Sequence, residues 1–308
     1  MGRRRKGHAI DGVVLLDKAY GVSSNTALQN VRRRLNAAKA GHTGSLDPLA
    51  TGLLPVCLGE ATKLSSYLLS ADKHYRVTAA LGAETTTGDL EGEVTIRGEA
   101  SLPDESELAA TVAAFTGPQS QIPPMYSALK VDGKPLYQYA REGVTVARSP
   151  RPITVHDLRV VRAAADQVTF DVAVSGGTYV RTLIEDMARH WGGRAHVVAL
   201  HRTCVGHLGA ALPTVSQARI DDDVEAEGPL AAFDWLLPVS TLLADWPAIT
   251  LTENQAARLG HGQTVRDVDT PAAAAIRLDQ PDGRVLGLGQ PAGGGGIAPL
   301  RLFARPLA

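Results

Sequence analysis

The chain has 308 residues, 44% of them hydrophobic and 20% charged, so it belongs with globular proteins that can bury a core, and wholesale disorder is excluded. Its 31 basic and 32 acidic side chains nearly cancel, which argues against a protein that coats nucleic acid without selectivity. The two cysteines, Cys57 and Cys204, are too few for a disulfide framework and suit a reducing compartment.

At this length two domains are the default. The charge is unevenly spread: residues 1 to 76 carry 12 basic and 5 acidic side chains, the remainder 19 and 27. One end is therefore expected to be electropositive. The run Arg3-Arg4-Arg5-Lys6 reads either as a solvated tail or as a contact to a polyanion. No signal-type apolar region follows it, and Lys6 stands where a myristoylation signal needs Ser or Thr. Nothing approaches the roughly 18 apolar residues of a membrane span. A cytoplasmic protein without membrane contact is expected.

Residues 11 to 17 read as a buried strand. A helix follows, with Ser23 and Ser24 as capping candidates and Ala27, Leu28, Val31, Leu35 and Ala38 at helical spacing. It closes on Arg32-Arg33-Arg34, cations that suit the negative end of a helix and equally suit a phosphate. Gly41 to Gly59 reads as a glycine-punctuated loop. A strand is expected from Tyr75 to Leu81 and a helix over 105–115. Gln119 to Gly143 mixes Pro and Gly with tyrosines, as a long ordered surface loop does.

Val168 to Val174 alternates as a half-buried strand. After Ser175-Gly176-Gly177, residues Val180, Leu183, Ile184, Met187, Ala188 and Trp191 mark one helix face. Strand, turn and helix thus meet at Thr178, Tyr179 and Arg181. Beyond a boundary near residue 246, a short helix (Glu253 to Leu259), strands at Ala275 to Leu278 and Val285 to Leu288, and a flexible Gly293 to Gly296 point to a small β-rich module.

The loop Gly41-His42-Thr43-Gly44-Ser45-Leu46-Asp47-Pro48-Leu49-Ala50-Thr51-Gly52 is the most unusual segment. Asp47 is the only carboxylate between Asp17 and Glu60 and lacks a local basic partner. Asp-Pro is a common helix start, yet the surrounding glycines also admit close approach of a ligand. Arg181 has the converse problem: near a helix N-terminus the dipole disfavours a cation, so it wants an anion nearby. No phosphate-binding P-loop occurs. A glycosidase would need a second carboxylate, for which Asp89 and Glu185 are candidates that spacing cannot place. His196, His201, Cys204 and His207 match no standard zinc spacing.

The Asp47 loop resembles the signature of the bacterial tRNA pseudouridine-55 synthases, the tRNA pseudouridine synthase B family. Leu16-Asp17-Lys18, Lys73-His74-Tyr75-Arg76-Val77, Gln121-Ile122-Pro123-Pro124-Met125-Tyr126-Ser127-Ala128-Leu129-Lys130, Gly177-Thr178-Tyr179-Val180-Arg181 and Ala195-His196-Val197 through Leu200 follow in the family's order, over residues 11 to about 240. Ala19-Tyr20 departs from it, since a proline commonly follows that lysine. The resemblance implies a mixed α/β fold: a catalytic domain over 1–245 with a thumb-like insertion at about 119–143, and a PUA-like RNA-binding domain over 246–308.

By the same resemblance Asp47 is the catalytic aspartate, Tyr75 stacks on the target uracil and Arg181 pairs with Asp47. Tyr179 and Leu200 line the pocket, His42 fills the space of the extruded base, Lys18 supports the loop and Asp89 holds Arg181. The implied partner is tRNA, through its T-arm stem-loop. No extended heptad or apolar edge points to an obligate dimer, so a monomer is expected. Isomerising uridine involves no oxidation and no net hydrolysis, so no cofactor or metal is expected. Two other readings remain: an RNA-binding tRNA folding factor with secondary catalysis, and a guide-RNA-dependent synthase.

Overall fold

Gly12–Lys18 forms strand β1, in which Val14 and Leu16 face one side and Val13 and Leu15 the other, all four buried. Successive side chains of a strand point to opposite faces, and this strand is covered on both. The computed structural model describes residues 7–209, 211–266 and 268–307; the Arg3 to Lys6 run lies outside the described residues. Ser23 caps helix α1 (Ser24–Arg34) by accepting the Thr26 N–H, and Ala27, Leu28 and Val31 turn inward. The arginines that close α1 are partnered within the protein: Arg34 meets Asp221 and Glu225, Arg32 the Ala37 carbonyl and Arg33 Asn30.

The expected loop from Gly41 to Gly59 is mostly strand. Ala40–His42 (β2) and Thr51–Leu58 (β3) bracket a loop over 43–50. Leu53, Leu54, Val56, Cys57 and Leu58 are all buried, the continuous apolar run of a central strand, which the flanking Gly52, Pro55 and Gly59 disguise as loop. Lys73–Leu81 (β4) follows, then helix α2 (Glu105–Phe115), entered through a reciprocal Asp104–Glu107 capping box. Gly117–Gln121 (β5) leads into the insertion. This holds a hairpin pairing 130–131 with 134–135 and one short helix, Leu136–Arg141, so it is a structured element and not a plain loop.

Arg151–Ala164 (β6), Gln167–Val174 (β7), helix α3 (Val180–His190), Ala195–Val205 (β8), Val215–Ser216 (β9), helix α4 (Gln217–Glu227) and Leu236–Leu237 (β10) complete this part. They build one ten-stranded mixed sheet in the order β9-β1-β3-β8-β4-β7-β6-β5, with β10 on β1 and β2 on β3. The pairs β1·β9 and β3·β8 are parallel and the rest antiparallel. Helices α1, α3 and α4 cover one face, where Val14, Leu16, Leu54, Val56, Val77 and Phe170 pack against Val31, Leu183, Met187 and Ile220.

A second sheet is built from Ala248–Thr250 (β11), Val265–Arg266 (β12), Ile276–Asp279 (β13), Val285–Ala292 (β14) and Gly296–Leu307 (β15), with helix α5 (Glu253–Gly260) alongside. Gly294 and Gly295, at φ +76 and +70, make the tight turn between β14 and β15, so the glycine run expected to be flexible is a hairpin turn. This sheet closes the other face of β1 and β3: Val285, Leu288, Phe303 and Leu307 join Val13, Leu15, Leu53 and Cys57 in one apolar cluster. At its edge Lys63 donates to the Leu302 carbonyl and the Ala304 N–H to Glu60. Among the described residues no helix is long and apolar enough to cross a membrane.

Candidate active site

The loop over 43–50 is stitched down at several points, which is why a glycine-rich segment holds one shape. Ser24 Oγ accepts the Leu46 N–H at 2.6 Å and donates to the Leu46 carbonyl at 2.9 Å. Arg202 on β8 donates to the Gly44 carbonyl at 3.1 Å and the Leu53 carbonyl at 2.7 Å. Lys18, at the end of β1, donates to the carbonyls of Ala19, Val22 and Pro48. Lys18 and Arg202 are each 1% exposed. Gly52 closes the loop at φ +93, and a Cβ there would sit 2.3 Å from the Arg202 carbonyl, so only glycine fits. Asp47-Pro48 starts no helix; the Ala50 N–H donates to the Asp47 carbonyl and closes a single turn.

That geometry leaves the Asp47 carboxylate facing Arg181. Arg181 Nε lies 2.9 Å from Asp47 Oδ2, and its Nη1 lies 3.5 Å from Asp89 Oδ2. Nη1 also donates to the Thr87 carbonyl at 2.5 Å and Nη2 to the Tyr126 carbonyl at 2.9 Å. The Arg181 side chain is 5% exposed, that of Asp47 39%, so the arginine is fixed from behind while the carboxylate opens forward. Burial pushes the Asp47 carboxyl up from its usual range; Arg181 pulls it back down, Asp89 adds to the rise and Lys18 opposes it. The cation at the first turn of α3 thus has its anions, and the isolated carboxylate its cation.

The carboxylate opens into a cleft of about 330 Å³, at the small end of the roughly 300–1,000 Å³ typical of ligand pockets. Tyr75 of β4, Leu200 of β8 and Tyr179 at the β7–α3 turn line it together with Asp47 and Arg181. Of the other expected site residues, Lys18 and Asp89 sit behind the cleft as supports. His42 is half-buried at the end of β2, its Nδ1 accepting the Gly44 N–H at 3.4 Å. Burial, with Arg202 adding, lowers its pKa and favours the neutral ring. Burial likewise draws the Lys18 ammonium down to about 8, against the opposing charge of Asp47.

Two charged residues of the cleft lining, Lys73 and Arg202, were given no role from the sequence. Each lies in phase with a buried strand face, Lys73 with Tyr75 and Val77, Arg202 with Leu200. A charge in phase with a core face was the available signal. The insertion also brings Tyr126 and Ser127 to the cleft wall. The histidines and cysteine of β8 and its exit turn bond separately: His196 to the Ala83 carbonyl, His201 to Thr51, Cys204 to the Gly206 carbonyl, His207 to Asp245. Among the described residues no group of three or more could hold a metal.

Residues 32–180 match the profile of the TruB family pseudouridylate synthase N-terminal domain, and residues 247–303 that of the pseudouridine synthase II TruB C-terminal region. The tRNA pseudouridine synthase B of Nitrosococcus oceani is 47% identical over 98% of this chain and 97% of that protein. The chain belongs to the tRNA pseudouridine synthase B family. A second relative, the tRNA pseudouridine synthase B of Sodalis glossinidius, is 48% identical over the whole of both chains. Among solved structures, the crystal structure of a Cbf5-Nop10-Gar1 complex aligns with a TM-score of 0.75 at 23% identity, over 97% of this chain and 85% of that one. At that identity the likeness carries the fold alone, and it is the pseudouridine synthase fold that the family implies.

Proposed function

We propose that this protein converts one uridine in the T-arm loop of tRNA, position 55, to pseudouridine, with Asp47 as the group acting on the reacting nucleotide. The observation that carries the reading is the Asp47–Arg181 pair at 2.9 Å, opening into a cleft of nucleoside size. Membership of the family, through relatives named for tRNA, supports the substrate class. The reaction breaks the bond from N1 to the sugar, turns the base and joins the sugar to C5; the C5 proton leaves and N1 gains one. A carboxylate serves as nucleophile or as stabiliser of positive charge on the sugar. Once bound RNA closes the cleft to water, Arg181 favours the ionised form that either role needs.

Reaching a stacked base requires extrusion, which costs a few kcal/mol and is offset by stacking and pocket contacts. Tyr75 supplies an aromatic face, Tyr179 and Leu200 the walls, and His42 the wedge that takes the vacated space. Lys73 and Arg202 add two cations to the cleft lining while donating to backbone carbonyls, a charge balance that suits a polyanionic substrate. We take residues 1–245 as the catalytic part, 119–143 as the thumb that closes on the RNA loop, and 246–308 as a PUA-like RNA-binding part. Release of tritium from C5-labelled uridine in a tRNA transcript tests the assignment. Asp47→Asn is expected to keep tRNA binding while losing on the order of 10²- to 10⁴-fold in turnover. Unchanged release from that variant removes Asp47 from its role.

A further inference from the structure

Strand β5 ends on Gln121, a residue with no part in the chemistry above. Its side chain is buried, 4% exposed, and its amide lies against the backbone of a single residue. Oε1 accepts the Tyr179 N–H at 2.9 Å, and Nε2 donates to the Tyr179 carbonyl at 3.1 Å. A primary amide presents one donor and one acceptor side by side, as a neighbouring peptide unit does, so the two bonds fix both the distance and the tilt of the backbone they grip. Tyr179 is the N-cap of α3 and has no side-chain cap of its own.

Five residues further along the insertion, the Tyr126 carbonyl accepts from Arg181 Nη2 at 2.9 Å. The root of the insertion is therefore tied twice to the turn that presents Tyr179 and Arg181, and through Arg181 to Asp47. We infer that Gln121 is a positioning residue: its amide sets the place of the Tyr179–Arg181 turn, and with it the guanidinium on Asp47, so that the seating of the insertion is felt at the carboxylate. The inference rests on the roles of Asp47 and Arg181 given under Proposed function. Gln121 does not line the cleft and reaches it only through the Tyr179–Arg181 turn, so its loss is felt more in turnover than in tRNA affinity.

Gln121→Met keeps the length of the side chain and removes both bonds. The expected result is a folded protein whose kcat falls about ten- to hundredfold with a smaller change in KM for a tRNA transcript, the scale on which a small misplacement of a catalytic group is felt. Gln121→Glu supplies a second readout. As a carboxylate it accepts from the Tyr179 N–H but repels the Tyr179 carbonyl; protonated, its O–H donates to that carbonyl and restores both bonds. Its turnover relative to the unsubstituted protein at the same pH is expected to climb on acidification, although Asp47 protonation lowers the rate of both.

An unchanged kcat in Gln121→Met, or a loss confined to KM, overturns the inference, as does a Gln121→Glu ratio that stays flat with pH. If the Met protein does not fold, the Glu ratio decides; if neither folds, the amide is structural and the inference fails. An unsubstituted protein that releases no tritium overturns the functional reading and this inference with it. An active one with an equally active Met variant overturns the inference alone.

Discussion

Replacing Arg181 by methionine tests how far the cleft depends on a held charge. Two unit charges about 4 Å apart at an effective dielectric of about 20 attract by about 4 kcal/mol. The Asp47 side chain is 39% exposed, so solvent screening takes about half of that and leaves about 2 kcal/mol. At 1.4 kcal/mol per decade this is about 30-fold in rate if the ionised carboxylate acts in the transition state. Arg181 also orients that carboxylate by its bonds to the Thr87 and Tyr126 carbonyls and to Asp89, so the expected loss in kcat is on the order of 10²- to 10³-fold.

The pH profile gives an independent reading of the same variant. With the arginine gone, the largest influence that lowers the Asp47 pKa is lost, leaving Lys18 alone to oppose burial and Asp89. The acid limb of activity is therefore expected to move to higher pH. Arg181→Lys keeps the charge but loses the planar fork, and should fall between the two. The assay is single-turnover tritium release on saturating enzyme, with circular dichroism to establish folding, because buried Asp89 loses its ion-pair partner. A folded Arg181→Met protein with unaltered turnover and an unmoved acid limb refutes the reasoning.

Gly52→Ala places a Cβ against the Arg202 carbonyl at a φ of +93, and is expected to destabilise the protein by about 2 to 5 kcal/mol in urea unfolding; an unshifted midpoint refutes it. Glu185, 16% exposed, is pushed up to about 7 by burial, with Glu84 and Asp186 adding and Arg189 opposing. Because the folded protein holds this proton where the unfolded chain has released it, stability falls as pH rises from about 4.5 to about 7. Glu185→Gln removes the penalty, so it should stabilise by up to about 3 kcal/mol above pH 7 and not at all below pH 4.5. Thermal melts across that range check the sign.

The parts of the chain with an unambiguous period were legible in advance. The helix from Val180 and the strand over 168–174 carry their burial in their spacing, the strand expected over 11–17 in a short apolar run, and the structure places all three within a residue or two. Strand β3 was not legible, because Gly52, Pro55 and Gly59 look like loop chemistry when the covering layers on both faces are unseen. The fourteen residues of β6 were missed because the strand is exposed on both faces from Arg159 to Ala163, so no apolar rhythm runs through that stretch. In the site, Asp47 and Arg181 each announced an unmet electrostatic need. That they meet each other is a tertiary fact no spacing encodes. Lys73, which donates to the Leu69 and Ala71 carbonyls, Arg202 and Gln121 grip backbone carbonyls or amides, and a sequence names side chains without naming the main-chain atoms they hold.

The shared apolar seam between the two sheets has a mechanical consequence. Because Val285, Leu288, Phe303 and Leu307 seal Val13, Leu15 and Leu53, the C-terminal sheet is no tethered bead free to swivel on its linker. It is a set jaw: the same apolar contacts that bury its inner face hold it at one distance from the sheet that carries the cleft. If that part binds RNA as proposed, this distance acts as its gauge. Slackening the connection near residue 246 would leave that gauge intact. Trimming the last strand would wet the back of β1 and trade a measuring tool for an aggregating one.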